Sequence, residues 1–227
     1  MEKKKEVKLT EEDLQAFESE VIEKYEGANI RGPIHLSHGN EQQLIDIFQY
    51  VDKDDWVFST WRNHYHALLH GIDRNWLMNE VLSGRSINIS NGEAKFHTSA
   101  IVGGIIPIAT GTALGIKING DSNHVWCFIG DMAYSGGAFH ESHKFAVANQ
   151  LPITFVVEDN GLSTNTPTQK SWDFKMDENA RTYHPFGVSE HDKNSPIPNV
   201  RIFDDYLWYY QYERKYPHVG IGKFVYF

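Results

Sequence analysis

Residues 124–162 read HVWCFIGDMAYSGGAFHESHKFAVANQLPITFVVEDNGL, and this stretch decides the fold class. Two apolar runs, at residues 124–129 and 153–157, flank a segment with a helical pattern at residues 137–150. Buried strands on either side of a helix predict a parallel βαβ unit. A glycine-containing loop is expected between the first strand and the helix.

Polar side chains directly follow both predicted strands. Asp131 comes after the first strand, and Asn160 comes after the second. Because open α/β sheets bind ligands at the carboxyl ends of their strands, both side chains are expected at one edge of the sheet. Carboxylate and amide oxygens are hard donors that suit Mg²⁺ or Ca²⁺. The sequence therefore predicts a metal site at this edge.

The Gly-Asp-Met at residues 130–132, followed by Asn160, resembles the cofactor motif of thiamine diphosphate-dependent enzymes. In that family the Asp, the Asn and a backbone carbonyl two residues after the Asn hold the metal that bridges the cofactor's diphosphate. The resemblance thus implies Asp131, Asn160 and the Leu162 carbonyl as Mg²⁺ ligands. Met132 replaces a glycine that the family uses through its backbone N–H, which Met retains.

Further segments resemble the alpha subunits of two-subunit 2-oxoacid dehydrogenases in the same family. Trp61 and Arg62 fall where an aromatic residue and an arginine hold the diphosphate, and the planar guanidinium suits that group. His64 falls on the active-site histidine, a residue type that moves protons near neutral pH. The backbone positions implied to contact the cofactor are Ala100, Val102, Gly130 and Ala133. The first two receive the aminopyrimidine ring, and the last two lie at the diphosphate.

Some of these polar residues have structural alternatives. His66 and His70 are expected to line a polar pocket or a subunit interface rather than to react. Glu141 falls where the family keeps a helix glutamate, which could join a buried acid relay between paired active sites. It could equally stabilise the first turn of its own helix. The small-residue segment 98–118 predicts a tightly packed helix at a subunit interface.

Composition narrows the class of function. The chain has 227 residues and a net charge of −9, which argues against a nucleic-acid binder with clustered Lys and Arg. No apolar run reaches the roughly 18 residues of a membrane helix, and no apolar signal core follows the lysines at 3–5. Cys127 lies in a predicted strand and is expected to be a buried hydrophobe. We expect a cytoplasmic protein.

The resemblance extends over residues 35–168 and implies a three-layer α/β fold with a parallel sheet that binds thiamine diphosphate. Residues 1–168 are expected to form this domain, with an N-terminal helix at 10–25 that begins with a capping box of Thr10 and Asp13. Residues 169–227 are expected to form a compact tail on the domain or on a partner subunit. A final strand is predicted at 219–227.

The function implied is that of an alpha-type subunit that uses thiamine diphosphate and Mg²⁺ to cleave a C–C bond next to a carbonyl. The expected reaction is decarboxylation of a 2-oxo acid with acyl transfer. The family's glutamate that protonates the aminopyrimidine comes from another domain or subunit, so we expect a separately encoded beta subunit in an α₂β₂ heterotetramer. Two alternatives stay open. Residues 158–163 resemble transketolase, which moves a two-carbon unit from a ketose, and Met132 is compatible with a non-catalytic homologue that only binds the cofactor.

Overall fold

The architecture is taken from a computed structural model, which describes residues 2–171 and 195–215. The strands in these residues are β1 (Trp56–Ser59), β2 (Ser90–Asn91), β3 (Phe96–Thr98), β4 (Val125–Gly130), β5 (Ile153–Asp159), β6 (Leu162–Ser163), β7 (Thr166–Pro167), β8 (Val200–Ile202) and β9 (Leu207–Gln211). The helices are α1 (Glu11–Glu26), α2 (Glu41–Phe48), α3 (His64–His70), α4 (Arg74–Glu80), α5 (Ile105–Asn119), α6 (Asp131–Tyr134), α7 (Gly137–Ala148) and α8 (Thr168–Ser171). A π-helical turn, Val81–Arg85, follows α4.

Seven strands form the main sheet, in the order β2-β3-β1-β4-β5-β9-β8. The five inner strands are parallel, while β2 and β8 pair antiparallel at the two edges. β4 and β5 pair in parallel, with Val125 opposite Ile153 and Gly130 opposite Glu158. The predicted βαβ unit is therefore confirmed. β6 and β7 form a separate small hairpin.

Helices cover both faces of the sheet because its central strands are apolar on both sides. Trp126 and Phe128 of β4 pack into a core with α1 to α4. Cys127 and Ile129, which alternate with them, pack into a second core with α5 to α7. This arrangement confirms the expected three-layer α/β fold, and Cys127 is a buried, free thiol as predicted.

The helix boundaries match the sequence prediction at the start of α1 and differ from it after β4 and after β3. The capping box of Thr10 and Asp13 is formed at the start of α1. The stretch after β4 is not a loop throughout, because residues 131–134 form the short helix α6. The small-residue helix begins at Ile105 rather than near residue 98. Residues 99–104 form a turn instead, in which the Gly104 N–H donates to the Ile101 carbonyl at 3.0 Å.

Part of the predicted tail belongs to the main sheet. β9 lies parallel to β5, and β8 pairs with β9 at the edge. The sequence analysis did not predict these two strands. Residues 172–194 and 216–227 of the tail, including the predicted final strand, lie outside the described residues. Within the described part of the chain, no helix has the length and apolar character needed to cross a membrane.

Candidate functional site

The predicted cofactor positions all follow the carboxyl ends of four neighbouring strands. In sheet order these strands are β3, β1, β4 and β5. The chain places β3 on one side of β1 and β4 on the other, so the strand order reverses there. Ligands of open α/β sheets bind at such a reversal, outside the carboxyl ends of the strands. The topology therefore brings the predicted segments to one edge.

Asp131 is the buried acid of this edge. It is the first residue of α6 and is 8% exposed. The Thr168 hydroxyl donates a hydrogen bond to its carboxylate, and the Thr168 backbone N–H donates to the Gly161 carbonyl at 3.0 Å. Burial, together with the nearby Asp159, raises the pKa of Asp131 to about 7. Thr168 thus joins Asp131 to the loop that follows β5.

Asn160 occupies the other side of that loop. Its Nδ2 donates to the Tyr212 hydroxyl at 3.0 Å, and its Oδ1 accepts from the Leu162 backbone N–H at 3.0 Å. In the residues that the structure describes, no three His, Cys, Asp or Glu side chains converge as a metal-binding group. A cation at this edge would therefore need amide and carbonyl oxygens beside Asp131, which is the kind of set that the sequence predicted.

Arg62 and Trp61 present buried donors to the same edge. The Arg62 Nε donates to the Leu36 carbonyl at 3.0 Å, whereas a terminal guanidinium nitrogen is buried without a hydrogen-bond partner among the described residues. The Trp61 Nε1 is likewise buried without a hydrogen-bond partner among the described residues. Burial lowers the pKa of Arg62, and Tyr212 and Glu158 oppose that change. Because an arginine side chain keeps its charge in proteins, this guanidinium suits an anion.

His64 is fully buried at the start of α3. Its Nδ1 lies 3.2 Å from Glu18 of α1, and its Nε2 lies 2.9 Å from the Ser86 hydroxyl. Glu18 is also fully buried and accepts hydrogen bonds from the Ser37 backbone N–H. Both ring nitrogens therefore face groups inside the chain, and in this arrangement His64 presents neither of them to the surface.

A second buried histidine, His66, lies between the ends of β1 and β5. The His66 ring is buried between Ser59, 3.1 Å from Nδ1, and Glu158, 3.2 Å from Nε2. Glu158 also accepts hydrogen bonds from Asn40 at 3.1 Å and from the Tyr210 hydroxyl at 2.6 Å. These donors compensate for the burial of the carboxylate. His66 thus lies in a buried polar network.

The predicted aminopyrimidine side of the site is more open. Ala100 and Val102 lie in the turn after β3, which the Ser99 N–H ties to the Ser59 carbonyl at 3.1 Å. Ile101 is 73% exposed and Val102 is 50% exposed. Glu141 is exposed on α7, so within this chain it does not join the buried groups. Asp131 is buried at this edge, Arg62 and Asn160 are half-buried there, and Glu141 is exposed.

Four residues near the predicted site were not predicted from the sequence. A local signal existed for Glu18 and Asp159, and none existed for Thr168 and Tyr212. Glu18 stands on the apolar stripe of α1 beside Phe17, a position where a carboxylate signals a buried partner. Thr168 and Tyr212 reach the site through contacts distant in sequence, which no local pattern reveals. Asp159 directly precedes Asn160 and could have been recognised from that position.

Comparison with known proteins identifies the family of this chain. Residues 11–184 match the model of a family described as the dehydrogenase E1 component. The alpha subunit of acetoin:2,6-dichlorophenolindophenol oxidoreductase from Bacillus subtilis (strain 168) is 31% identical over 165 residues, which cover 68% of this chain and 50% of that protein. The pyruvate dehydrogenase E1 component subunit alpha of Rickettsia bellii (strain RML369-C) is 30% identical, over 70% of this chain and 52% of that protein. The chain thus spans about half the length of these curated relatives.

Proposed function

This chain belongs to the dehydrogenase E1 component family, and from that premise we propose that it is an alpha-type subunit that binds thiamine diphosphate through Mg²⁺. The proposed reaction cleaves the C–C bond next to the carbonyl of a 2-oxo acid, with transfer of the acyl group. The two relatives named above are alpha subunits, which supports a separately encoded beta partner for this chain.

The observation that carries the proposal is the buried Arg62 guanidinium. One of its terminal nitrogens has no hydrogen-bond partner in the described residues, and the neighbouring Trp61 Nε1 has none either. A buried donor without an acceptor costs about 1–3 kcal/mol, and more when it is charged. A diphosphate oxygen would remove that cost with charge-assisted hydrogen bonds. These two donors therefore fit the diphosphate of the proposed cofactor.

The donor set at β4 and β5 fits the proposed metal. Asp131 would supply a carboxylate, while Asn160 and Leu162 would supply an amide oxygen and a backbone carbonyl. Mg²⁺ prefers such hard oxygen ligands and usually completes its shell with waters and phosphate oxygens. A bound cation would also stabilise the charged form of Asp131, whose pKa burial raises to about 7. Backbone groups at Gly130, Met132 and Ala133 would line the diphosphate.

Thiamine diphosphate, when bound, would supply a nucleophilic thiazolium carbon and an electron sink for the carbanion left when the C–C bond breaks. The chain's own residues would hold and orient it, with the Ala100 carbonyl and the Val102 N–H at the aminopyrimidine. His64 is proposed to act on protons through Ser86, since its Nε2 lies 2.9 Å from that hydroxyl. Glu18 would hold the opposite side of the ring and fix its orientation.

An apolar face supports the proposed partner. The large hydrophobic side chains that are exposed in the described residues all fall between positions 101 and 147: Ile101, Val102, Ile108, Ile118, Phe145 and Val147. Ile108 and Ile118 lie on α5, and Phe145 and Val147 lie on α7, which contacts α5. Exposed apolar side chains on adjacent helices are a candidate interaction site. Glu141 lies one turn before Phe145 on α7, so a subunit on this face would bury it and permit the proposed acid relay. We propose an α₂β₂ heterotetramer on this basis.

One sequence feature supports a second candidate function. Residues 158–163 resemble transketolase, and the reaction would then move a two-carbon unit from a ketose to an aldehyde or sugar. The two candidates share the cofactor and differ in the donor. The decisive assay combines the chain with a beta-type subunit, thiamine diphosphate and Mg²⁺, and supplies either 2-oxo acids or ketoses.

Release of CO₂ from a 2-oxo acid is the expected result of that assay. Turnover of ketoses alone would replace the first candidate with the second. Cofactor binding without turnover of either donor, in an assembled complex, would instead support a homologue that binds but does not react. A complete lack of cofactor binding would contradict all three.

A further inference from the structure

Strand β9 places the phenol groups of Tyr209 and Tyr210 at the end of β5, where the proposed metal site lies. The two strands are parallel, with Glu158 opposite Tyr210. The Tyr210 hydroxyl donates to Glu158 at 2.6 Å, and the Tyr209 hydroxyl donates to Asp159. Consecutive residues of β5 are thus held by consecutive residues of β9. Both carboxylates are less than a tenth exposed, so these bonds compensate for their burial.

Tyr212 continues this pattern with a different partner. Its backbone N–H donates to the Asp159 carbonyl at 2.9 Å, which extends the strand pairing past the end of β9. Its hydroxyl accepts a hydrogen bond from the Asn160 Nδ2 at 3.0 Å. The phenol therefore contacts a proposed metal ligand directly, and the contact is made by the nitrogen end of the amide.

The chain beyond Tyr212 is tied to two more loops of the site. The Lys215 backbone N–H donates to the His38 carbonyl at 3.2 Å. The Arg214 guanidinium donates to the Thr164 carbonyl at 3.2 Å. A Cβ at Gly39 would lie 2.3 Å from the Glu213 carbonyl oxygen, so this segment packs directly on the backbone of the loop before α2. The backbone of Tyr212 is therefore fixed by its pairing with β5 and by the contacts of residues 213–215 that follow it.

From this geometry we infer that Tyr212 is a positioning residue for the metal: its hydroxyl holds the Asn160 amide with the nitrogen turned away from the cation and the oxygen turned toward it. The inference rests on the proposed function and assigns to the tail a role in the same site. The Asn160 Oδ1 accepts a hydrogen bond from the Leu162 N–H. The same loop is joined to Asp131 by Thr168, whose N–H donates to the Gly161 carbonyl and whose hydroxyl donates to Asp131. An amide oxygen has two lone pairs and can accept that N–H while it binds a cation.

Orientation matters because the two ends of the amide have opposite character. The oxygen is a metal ligand, whereas the NH₂ group is a donor that repels a cation. Without the Tyr212 hydroxyl, Nδ2 loses a hydrogen bond that favours one orientation over the other. Mg²⁺ requires nearly octahedral geometry and is sensitive to such a change, whereas Ca²⁺ accepts irregular shells with more ligands. Loss of the hydroxyl should therefore affect Mg²⁺ more than Ca²⁺.

The test compares Tyr212→Phe with the wild type, each assembled with the beta-type subunit, in calorimetric titrations of Mg²⁺ or Ca²⁺ at saturating thiamine diphosphate. We expect the apparent Mg²⁺ affinity to fall by about 10–100-fold, the range for partners that orient metal ligands. The Ca²⁺ affinity should fall by a smaller factor. Tyr206→Phe is the matched control, because it removes a phenol from the same segment outside the site.

Each outcome decides the inference. A selective loss of Mg²⁺ affinity in Tyr212→Phe, with Tyr206→Phe unchanged, supports it. Unchanged Mg²⁺ affinity, or an equal loss for both ions that parallels a lower melting temperature, overturns it and leaves the proposed function intact. A wild-type assembly with the beta-type subunit that binds no cofactor with either metal contradicts the proposed function itself, and the inference with it.

Discussion

The two sides of the candidate site are built differently. On the β4–β5 side, Asp131 and Asn160 are tied by side-chain hydrogen bonds to Thr168 and Tyr212, both distant in sequence. On the β3 side, Ile101 and Val102 are at least half exposed in the turn that would receive the aminopyrimidine. The chain thus orders the two proposed metal ligands with its own side chains, whereas the turn after β3 stays open.

The two sides would depend on a partner to different extents. Buried polar groups need hydrogen-bond partners, and Thr168 and Tyr212 supply them to Asp131 and Asn160. Exposed apolar groups gain by being covered, and a partner would do this for the ring side. Substitutions on the first side should therefore affect cofactor binding, while substitutions on the second should affect assembly.

The largest effect is expected from Asp131→Ala. This change removes the charged ligand of the proposed metal, so we expect Mg²⁺-dependent binding of thiamine diphosphate to fall below detection in calorimetry. The exposed Asp121 provides the control, because Asp121→Ala removes a carboxylate outside the site. Wild-type affinity in Asp131→Ala would mean that the metal side of the comparison is wrongly assigned.

A charge on the apolar face should come next in size. Phe145 is 44% exposed, so Phe145→Asp should leave the melting temperature of the chain nearly unchanged. Because the charge would be buried in the assembled protein, we expect partner affinity to fall by about 2–4 kcal/mol. Analytical ultracentrifugation with the beta-type subunit measures this loss. Ala16→Asp places the same charge on exposed α1 and should not affect assembly.

If Phe145→Asp assembles as the wild type does, the exposed apolar residues of α7 do not form the partner surface. The contrast between the two sides would then lose its explanation, and the exposed residues would need another role.

Arg62→Ala tests the diphosphate contact within the metal side. We expect the binding free energy of thiamine diphosphate to weaken by roughly 1.5–3 kcal/mol, the range for hydrogen bonds to charged groups. Competition with thiamine monophosphate would show whether the loss depends on the terminal phosphate. Arg85→Ala is the control, because Arg85 pairs with Glu80 on the surface. Equal affinities in Arg62→Ala and wild type would place Arg62 away from the diphosphate.

The smallest effect concerns stability without metal. Burial and Asp159 raise the pKa of Asp131 to about 7, against about 4 in an unfolded chain. A raised carboxyl pKa favours the folded state at low pH, and this contribution is lost as pH rises from about 4 through 7. Asp131→Asn removes the titration. We expect it to raise the free energy of unfolding by on the order of 1–2 kcal/mol at pH 8, and by less at pH 5.

Denaturant unfolding at both pH values, without divalent cations, provides that measurement. If Asp131→Asn raises the free energy of unfolding equally at pH 5 and pH 8, ionisation of Asp131 does not destabilise the folded state. Asp121→Asn serves as the exposed control and should change neither value.

The sequence predicted the β4–α7–β5 unit because its signals are local. Two apolar runs and a helical pattern lie close together, and Gly130, Asp131 and Asn160 mark the strand ends. The positions of Trp61 and Arg62 could be inferred in the same way, from their place after the short strand β1. The assignments of these residues to metal and diphosphate remain predictions.

The strands of the tail were not predicted because their signals are weak and their partners distant. Leu207 to Tyr210 are all buried, so β9 lacks the alternation of a half-exposed strand. A continuous apolar run between polar residues was nevertheless a usable signal. The contact of Tyr212 with Asn160 spans 52 residues, and no pattern in a single sequence specifies it. The buried pair of Glu18 and His64 was missed for the same reason.

The central claim is that one edge of this chain holds a divalent cation and the diphosphate together. Crystals grown with thiamine diphosphate and Mn²⁺, which takes the ligands of Mg²⁺ and scatters anomalously, test it most directly. The account predicts an anomalous peak coordinated by Asp131, Asn160 and the Leu162 carbonyl, with Arg62 on the diphosphate. A cofactor bound elsewhere, or a metal that does not contact Asp131, would contradict it.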